Sequence, residues 1–359
     1  MLLDATIAPL GEFLLFNTFP VPTEIFLIIF GFILLIKGGD WFVDASVNVA
    51  KRFGLPELLI GATVVSIGTT LPEVLTSIFG AVGGTGGIAY GNAIGSIICN
   101  TALIAAITVA VKPAKVDKKT LIFPVSAFFA VAAFYAIVAY TNQSFARWSG
   151  IVLLVCFVIY MIINVLNMKK NPDEKSEELE IPDELPQSNT EDEPETKSSI
   201  VKDLVMFILG AATIAIGASL LATNAESLAV NYLKMDPVIV GVTIVALGTS
   251  LPELVTAITS LMKGHGALSL GNIIGANIFN LVLVSGAAIT IAPFDLPAGI
   301  NFGGFPASLA IDIPLVFVAM GILTIPTIIK GKLERWQGIA LLCLYVAFIA
   351  SQAILGFVM

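Results

Sequence analysis

Along most of the chain, apolar runs of about twenty residues alternate with short polar or glycine-proline breaks. A helix needs about 20 mostly apolar residues to cross a bilayer. Windows of that size pick out ten stretches, at roughly 24–50, 56–83, 88–112, 119–141, 147–168, 200–232, 236–263, 267–292, 307–329 and 336–357. They predict an all-α integral membrane protein with ten transmembrane helices, five on each side of one long polar interruption. Residues 1–23 read as an extracytoplasmic lead-in, since Asp4, Glu12 and the lack of a basic start argue against a cleaved signal peptide. Residues 24–168 form the first helical unit, 169–199 a linker and 200–359 the second unit.

Composition agrees with a bilayer location. Of the 359 residues, 57% are hydrophobic and 12% charged, where an average soluble domain is about 25% charged. The net charge of −8 is local: between Asn171 and Thr196 stand eleven acids and a single lysine, Lys175. That stretch is rich in Glu, Pro, Ser and Asn and cannot bury a core, which makes it a solvated tether. A regulatory calcium site among its carboxylates is the weaker reading. Cys99, Cys156 and Cys343 fall in separate apolar stretches without a CxxC spacing and read as small apolar core residues. The expected surroundings are the lipid bilayer, with no nucleic acid, no obligate protein partner and no cofactor.

The chain is duplicated. Residues 61–104 and 241–284 align without gaps, with 19 identities over 44 positions. Five predicted helices separate equivalent points, so the second copy enters the membrane from the opposite side and the two repeats are inverted. Basic residues give the orientation, because short cytoplasmic loops collect Lys and Arg. With the N-terminus outside, 15 of the 18 basic residues fall in cytoplasmic loops, among them Lys51, Arg52, Lys112, Lys263 and Lys330. Both termini are then extracytoplasmic, the acidic linker is cytoplasmic, and the protein is multi-pass in a prokaryotic cell membrane.

Within the repeats, GTTLPE (68–73) and GTSLPE (248–253) sit in the middle of apolar stretches. Proline there removes a helical hydrogen bond, so both helices are expected to break. Irregular backbone at membrane depth survives only inside protein or along a cavity, and in inverted-repeat transporters ions bind at such breaks. Glu73 and Glu253 follow the prolines directly. An ionised carboxylate is costly in the bilayer interior, and neither motif holds a basic residue to pair with it. The segments GNAIGSIICN (91–100) and GNIIGANIFN (271–280) add a polar face at helical spacing, Asn92, Ser96 and Asn100 in one copy and Asn272, Ala276 and Asn280 in the other. Their glycines form small-xxx-small faces for close helix packing. Carboxylates, hydroxyls and amide oxygens without nearby His or Cys suit Ca²⁺ and Na⁺ better than zinc or copper.

These paired segments resemble the two alpha-repeats of the calcium/cation antiporter superfamily, most closely the prokaryotic sodium/calcium exchangers. The resemblance implies a secondary active antiporter that exchanges Na⁺ for Ca²⁺ by alternating access, with the transported ions as its bound cargo. It implies a calcium site from the Glu73 and Glu253 carboxylates and the backbone oxygens of Thr69 and Thr249. For sodium it implies the Ser66 and Ala246 carbonyls, the hydroxyls of Thr70, Ser250 and Ser96, and a central polar pair, Asn100 and Asn280. The first and sixth helices would slide over the rest. Two positions depart from the pattern: some microbial relatives carry an aspartate where this chain has Asn280, and Ala276 stands where a serine would match Ser96.

Other readings of the same residues stay open. Glutamates in a dry pocket can take protons in place of sodium, giving a Ca²⁺/H⁺ antiporter. An acidic ring open at both ends would be a cation channel. A carboxylate pair can also activate water in an intramembrane enzyme, but no second nucleophile, base or ligand cluster accompanies this one, and no enzyme is expected.

Overall fold

The computed structural model describes residues 20–53, 55, 57–84, 86–170, 200–233, 246–296, 301–302, 305–306 and 308–358. Residues 1–19 of the lead-in, nearly all of the acidic linker and the start of the seventh predicted stretch lie outside the described residues. The fold is helical. In chain order come α1 (Val21–Phe53), α2 (Leu58–Val82), α3 (Gly86–Val111), α4 (Lys118–Asn142), α5 (Arg147–Lys170) and α6 (Ile200–Ser227). A one-turn helix, Ala246–Thr249, leads into α7 (Leu251–Met262), followed by α8 (Gly266–Ile291), α9 (Ser308–Lys330) and α10 (Arg335–Val358). Eight of these are long and apolar enough to cross a membrane. Helix α1 begins at Val21, inside the stretch read as lead-in, and α5 runs to Lys170, two residues past the expected edge of the linker.

Burial sorts the helices. Within its most apolar window α8 is 83% buried, while α1 and α6 are each 22% buried, so α8 lies at the centre and α1 and α6 on the outside. The outer faces carry Phe26, Ile29, Phe30 and Ile33 on α1 and Leu204, Ile208 and Leu209 on α6, all exposed. In water such a patch would drive association; here it faces lipid. Trp148 and Trp336, both exposed at the starts of α5 and α10, sit where interfacial tryptophans anchor a bundle.

Helices α1 and α6 make the most extensive pairing in the molecule. Glycine permits it: a Cβ on Gly31 would meet Gly217 O at 2.8 Å, and one on Gly217 would meet Gly31 O at 2.7 Å. Small residues allow this approach between membrane helices. The pair is also tied by polar contacts near its two ends. Ser227 Oγ donates to the buried Glu24 at 2.6 Å, and Arg52 pairs with Asp203 at 2.9 Å.

Short loop pairings hold the two halves together. Strand β1 (Ser144–Phe145), after α4, pairs antiparallel with β2 (Phe294–Asp295), after α8. Lys115, before α4, bridges Lys332, after α9. One pairing joins the loop after α4 to the loop after α8, the other the loop after α3 to the loop after α9, and the two lie at opposite ends of α4. Strands β3 (Asn301–Phe302) and β4 (Phe305–Pro306) form a small hairpin ahead of α9. Helix α4 starts where the Asp117 carboxylate accepts from the backbone N–H groups of Lys119 and Thr120, an N-cap. It stops at Gln143, whose φ is 50°.

Candidate cation site

The two glutamates come together at the centre. Glu73 on α2 and Glu253 on α7 are both fully buried, close enough to interact electrostatically. Neither carboxylate has a hydrogen-bond partner on either oxygen, and no ion pair reaches them among the described residues. Buried polar atoms are almost always hydrogen-bonded, so four buried carboxylate oxygens without such a partner make this a candidate cation site.

The backbone delivers them differently in the two copies. A break is expected at both prolines. In the second copy the helix is interrupted at Ser250 (φ −92°, ψ 6°), which places Pro252 in the first turn of α7, where its missing N–H leaves no bond unmade. In the first copy the α-helix runs unbroken through Pro72, from Ser66 to Val82. The irregular backbone lies upstream instead, in a wide π turn over Gly61–Val65. Two further π turns begin at equivalent points of the repeats, Asn100–Ala105 and Asn280–Ser285. Such turns recur at functional sites, and no hydropathy pattern announces them.

Most of the other expected residues are buried as well. Ser66, Thr69, Thr70, Ser96, Asn100, Ser250 and Asn280 are all buried. The Thr69 and Thr70 hydroxyls stand beside the Glu253 carboxyl, and Ser250 Oγ stands beside the Cys99 thiol. Thr70 Oγ1, Ser250 Oγ and both amide atoms of Asn100 and of Asn280 lack partners. Of Ala246 and Thr249 only the backbone is described, in the turn ahead of Ser250.

A second layer fixes these helices. Asn92 Nδ2 donates to Glu73 O at 3.0 Å and to Ser77 Oγ at 2.8 Å, tethering α3 to α2. Its repeat equivalent, Asn272, donates to Thr256 Oγ1 at 3.0 Å, tethering α8 to α7. Sequence reasoning missed Asn277, which is fully buried, donates to Thr101 Oγ1 at 2.7 Å and keeps an unpartnered Oδ1. Its repeat equivalents are Ile97 for Asn277 and Leu281 for Thr101, so a search for matched polar positions passes over the pair. Outside the site, Asp40 and Asp44 pair with Lys263 and Asp312 accepts from Gln352. The side chain of Glu226 lies outside the described residues.

The sequence profile of the sodium/calcium exchanger protein family matches residues 23–166 and 202–353. The chain belongs to the sodium/calcium exchanger family. A membrane protein of Methanocaldococcus jannaschii is 34% identical over 331 residues, covering 89% of this chain and 95% of its own length. The sodium/calcium exchanger MaX1 of Methanosarcina acetivorans is 29% identical over 356 residues, covering 92% and 98%. Among solved structures, the sodium-calcium exchanger NCX_Mj superposes with a TM-score of 0.75 at 31% identity, covering 92% of this chain and 99% of that one. The matched stretches of the exchanger family fall on either side of the acidic segment, and both glutamate motifs lie inside them.

Proposed function

We propose that this protein is a secondary active antiporter that exchanges Na⁺ for Ca²⁺ at one site shared by its two halves. The observation that carries the reading is the Glu73–Glu253 pair: two fully buried carboxylates that interact electrostatically, with no hydrogen-bond partner on any oxygen. Two negative charges balance one Ca²⁺ or two Na⁺, and oxygen ligands suit both ions. Calcium is held by Glu73 and Glu253 with the backbone oxygens of Thr69 and Thr249. Sodium uses the flanking positions: the Ser66 and Ala246 carbonyls, the hydroxyls of Thr70, Ser250 and Ser96, and the Asn100–Asn280 pair.

The chain crosses the membrane ten times as two inverted five-helix repeats, α7 and α10 belonging to the two crossings beyond the eight long apolar spans. The repeat-equivalent loop pairings at opposite ends of α4 support the inversion. Both termini lie outside and the acidic segment inside the cell. Helices α1 and α6, paired through glycines and set on the lipid-facing flank, slide together over the buried remainder to open the site to either side.

The test is calcium-45 uptake into proteoliposomes with an outward sodium gradient, an outward proton gradient, or neither. Uptake driven by sodium and lost in Glu73→Gln and Glu253→Gln is the expected result. Uptake driven by protons alone would make the chain a Ca²⁺/H⁺ antiporter, flux uncoupled from either gradient a channel, and uptake indifferent to both substitutions would dispose of the site.

A further inference from the structure

The two helices that carry the glutamates are covered unequally. Helix α7, with Glu253, and α2, with Glu73, are repeat equivalents, as are α1 and α6. A Cβ built on Gly39 of α1 would stand 2.6 Å from Val255 Cγ1 and 3.1 Å from Thr259 Oγ1, so α1 lies directly on α7, where both residues are partly buried. Their equivalents on α2, Leu75 and Phe79, are 54% and 57% exposed. The face of α7 is closed over where the matching face of α2 is open.

An ion pair stands on the closed side. Lys263, just past the end of α7, places its Nζ 2.8 Å from Asp44 Oδ1, 3.3 Å from Asp40 Oδ1 and 3.2 Å from Asp40 O, all three on α1. The other repeat cannot form it. The repeat alignment sets Lys263 against Gly83, and the glycines of the α1–α6 contact, Gly31 and Gly38 against Gly210 and Gly217, set Asp40 against Ser219 and Asp44 against Thr223. None of these three equivalents carries a charge. The tie restrains more than α1, because Glu24–Ser227 and Arg52–Asp203 fasten α1 to α6 near both ends. Lys263 and both aspartates are partly exposed. Such a pair is weak, which suits a contact that has to part in every cycle.

We propose that Lys263 with Asp40 and Asp44 is an ionic latch that holds α1 against α7 and keeps the site closed at that end, the cytoplasmic one in the orientation given above. With no counterpart in the other repeat, the latch biases the carrier toward the form open to the outside. The inference rests on the antiport reading and adds to it a conformational preference set by this chain's own charges.

The test measures calcium half-saturation on each face of the membrane, in right-side-out and inside-out vesicles holding the full chain. A face whose binding-competent form is a minor population has its half-saturation raised by the inverse of that fraction, so releasing the latch acts mainly on the cytoplasmic face. Lys263→Gln should lower the cytoplasmic value about two- to fivefold, the reach of an exposed ion pair, and change the extracytoplasmic value far less. Asp44→Asn should act in the same direction to a smaller extent, since Asp40 remains. Raising cytoplasmic ionic strength with choline chloride screens exposed charges; it should lower the cytoplasmic value of the unaltered chain and leave Lys263→Gln unmoved. A pair that merely supports folding would lower the melting temperature without separating the two faces. Cytoplasmic half-saturation unchanged in both variants, equal shifts on both faces, or the same salt response with and without Lys263 would overturn the latch. Absence of sodium-driven calcium flux in the unaltered protein would instead overturn the antiport reading, and this inference with it.

Discussion

Substituting Glu253 by Gln removes one charge from the pair and nearly nothing from its volume. Glu253 and Glu73 are fully buried with all four oxygens unpartnered; under the antiport reading a cation between them is their counter-ion, and losing one acid breaks a buried ion pair. Breaking such a pair costs about 3–5 kcal/mol, equivalent to a loss in calcium affinity from about 10²-fold to about 4 × 10³-fold. The ion-free protein should respond in the opposite direction. With a neutral amide in place of the Glu253 carboxylate, Glu73 no longer faces a second buried charge, and the melting temperature without calcium should rise. Ligand linkage makes both effects readable in one titration. At a calcium concentration 100 times its dissociation constant the unaltered protein gains about 2.7 kcal/mol. At the same concentration the Glu253→Gln variant, with affinity down by that factor, gains about 0.4 kcal/mol or less. The assay is thermal unfolding of the detergent-solubilised chain across calcium concentrations, beside calcium-45 uptake by the same preparation in vesicles. A Glu253→Gln variant with an undiminished calcium-dependent shift would refute the shared-carboxylate site.

Other perturbations test the scaffold and the second copy of the motif. Gly217→Val places a Cβ 2.7 Å from Gly31 O; overpacking of this kind costs about 1–3 kcal/mol, and both melting temperature and transport rate should fall. Asp203→Ala removes a nearly buried carboxylate 2.9 Å from Arg52 and should destabilise by about 1–3 kcal/mol, read by thermal unfolding. Lys263→Met should cost less than about 1 kcal/mol, since the Asp40 and Asp44 side chains are 40% and 62% exposed, and high salt should shrink the difference further. Asn280→Asp adds a titratable group at the central polar pair, and the sodium-driven flux should acquire a pH dependence that the unaltered chain lacks at that position.

What the sequence made legible follows from how loudly each feature speaks in one dimension. Hydropathy locates the long spans because a bilayer demands about 20 apolar residues, and the repeat alignment finds Glu73, Glu253, Asn100 and Asn280 because both copies carry them. Four things were out of reach. The π turns at Asn100 and Asn280 depend on backbone register, and apolar content does not encode register. Pro72 and Pro252 occupy equivalent positions, yet only the second coincides with an interruption, because the turn at Ser250 brings it into a helix's first turn. The Asn277–Thr101 contact crosses between halves at positions where the partner copy is apolar, so a search for symmetry discards it. Buried acids outside the motif, Glu24 and Asp203, find partners on a helix about 150 to 200 residues away, a pairing that spacing does not reveal.

Under the antiport reading, coupling follows from the same missing partners that mark the site. A carrier with two carboxylates in its dry centre and no counter-ion cannot pass cheaply between its outward and inward forms, because closing either side strips the pair of water and leaves no positive charge to balance it. Calcium or sodium relieves that cost by the ion's own charge, so the loaded forms cross and the empty form stalls. An internal salt bridge to either glutamate would remove the penalty and allow the empty protein to cross, which would uncouple the ions. A lysine placed within reach of Glu73, for instance at Ser77, a fully buried position one turn along α2, should therefore abolish exchange even if the protein folds. If Ser77→Lys leaves sodium-driven calcium uptake intact, the bare pair is not what enforces the exchange.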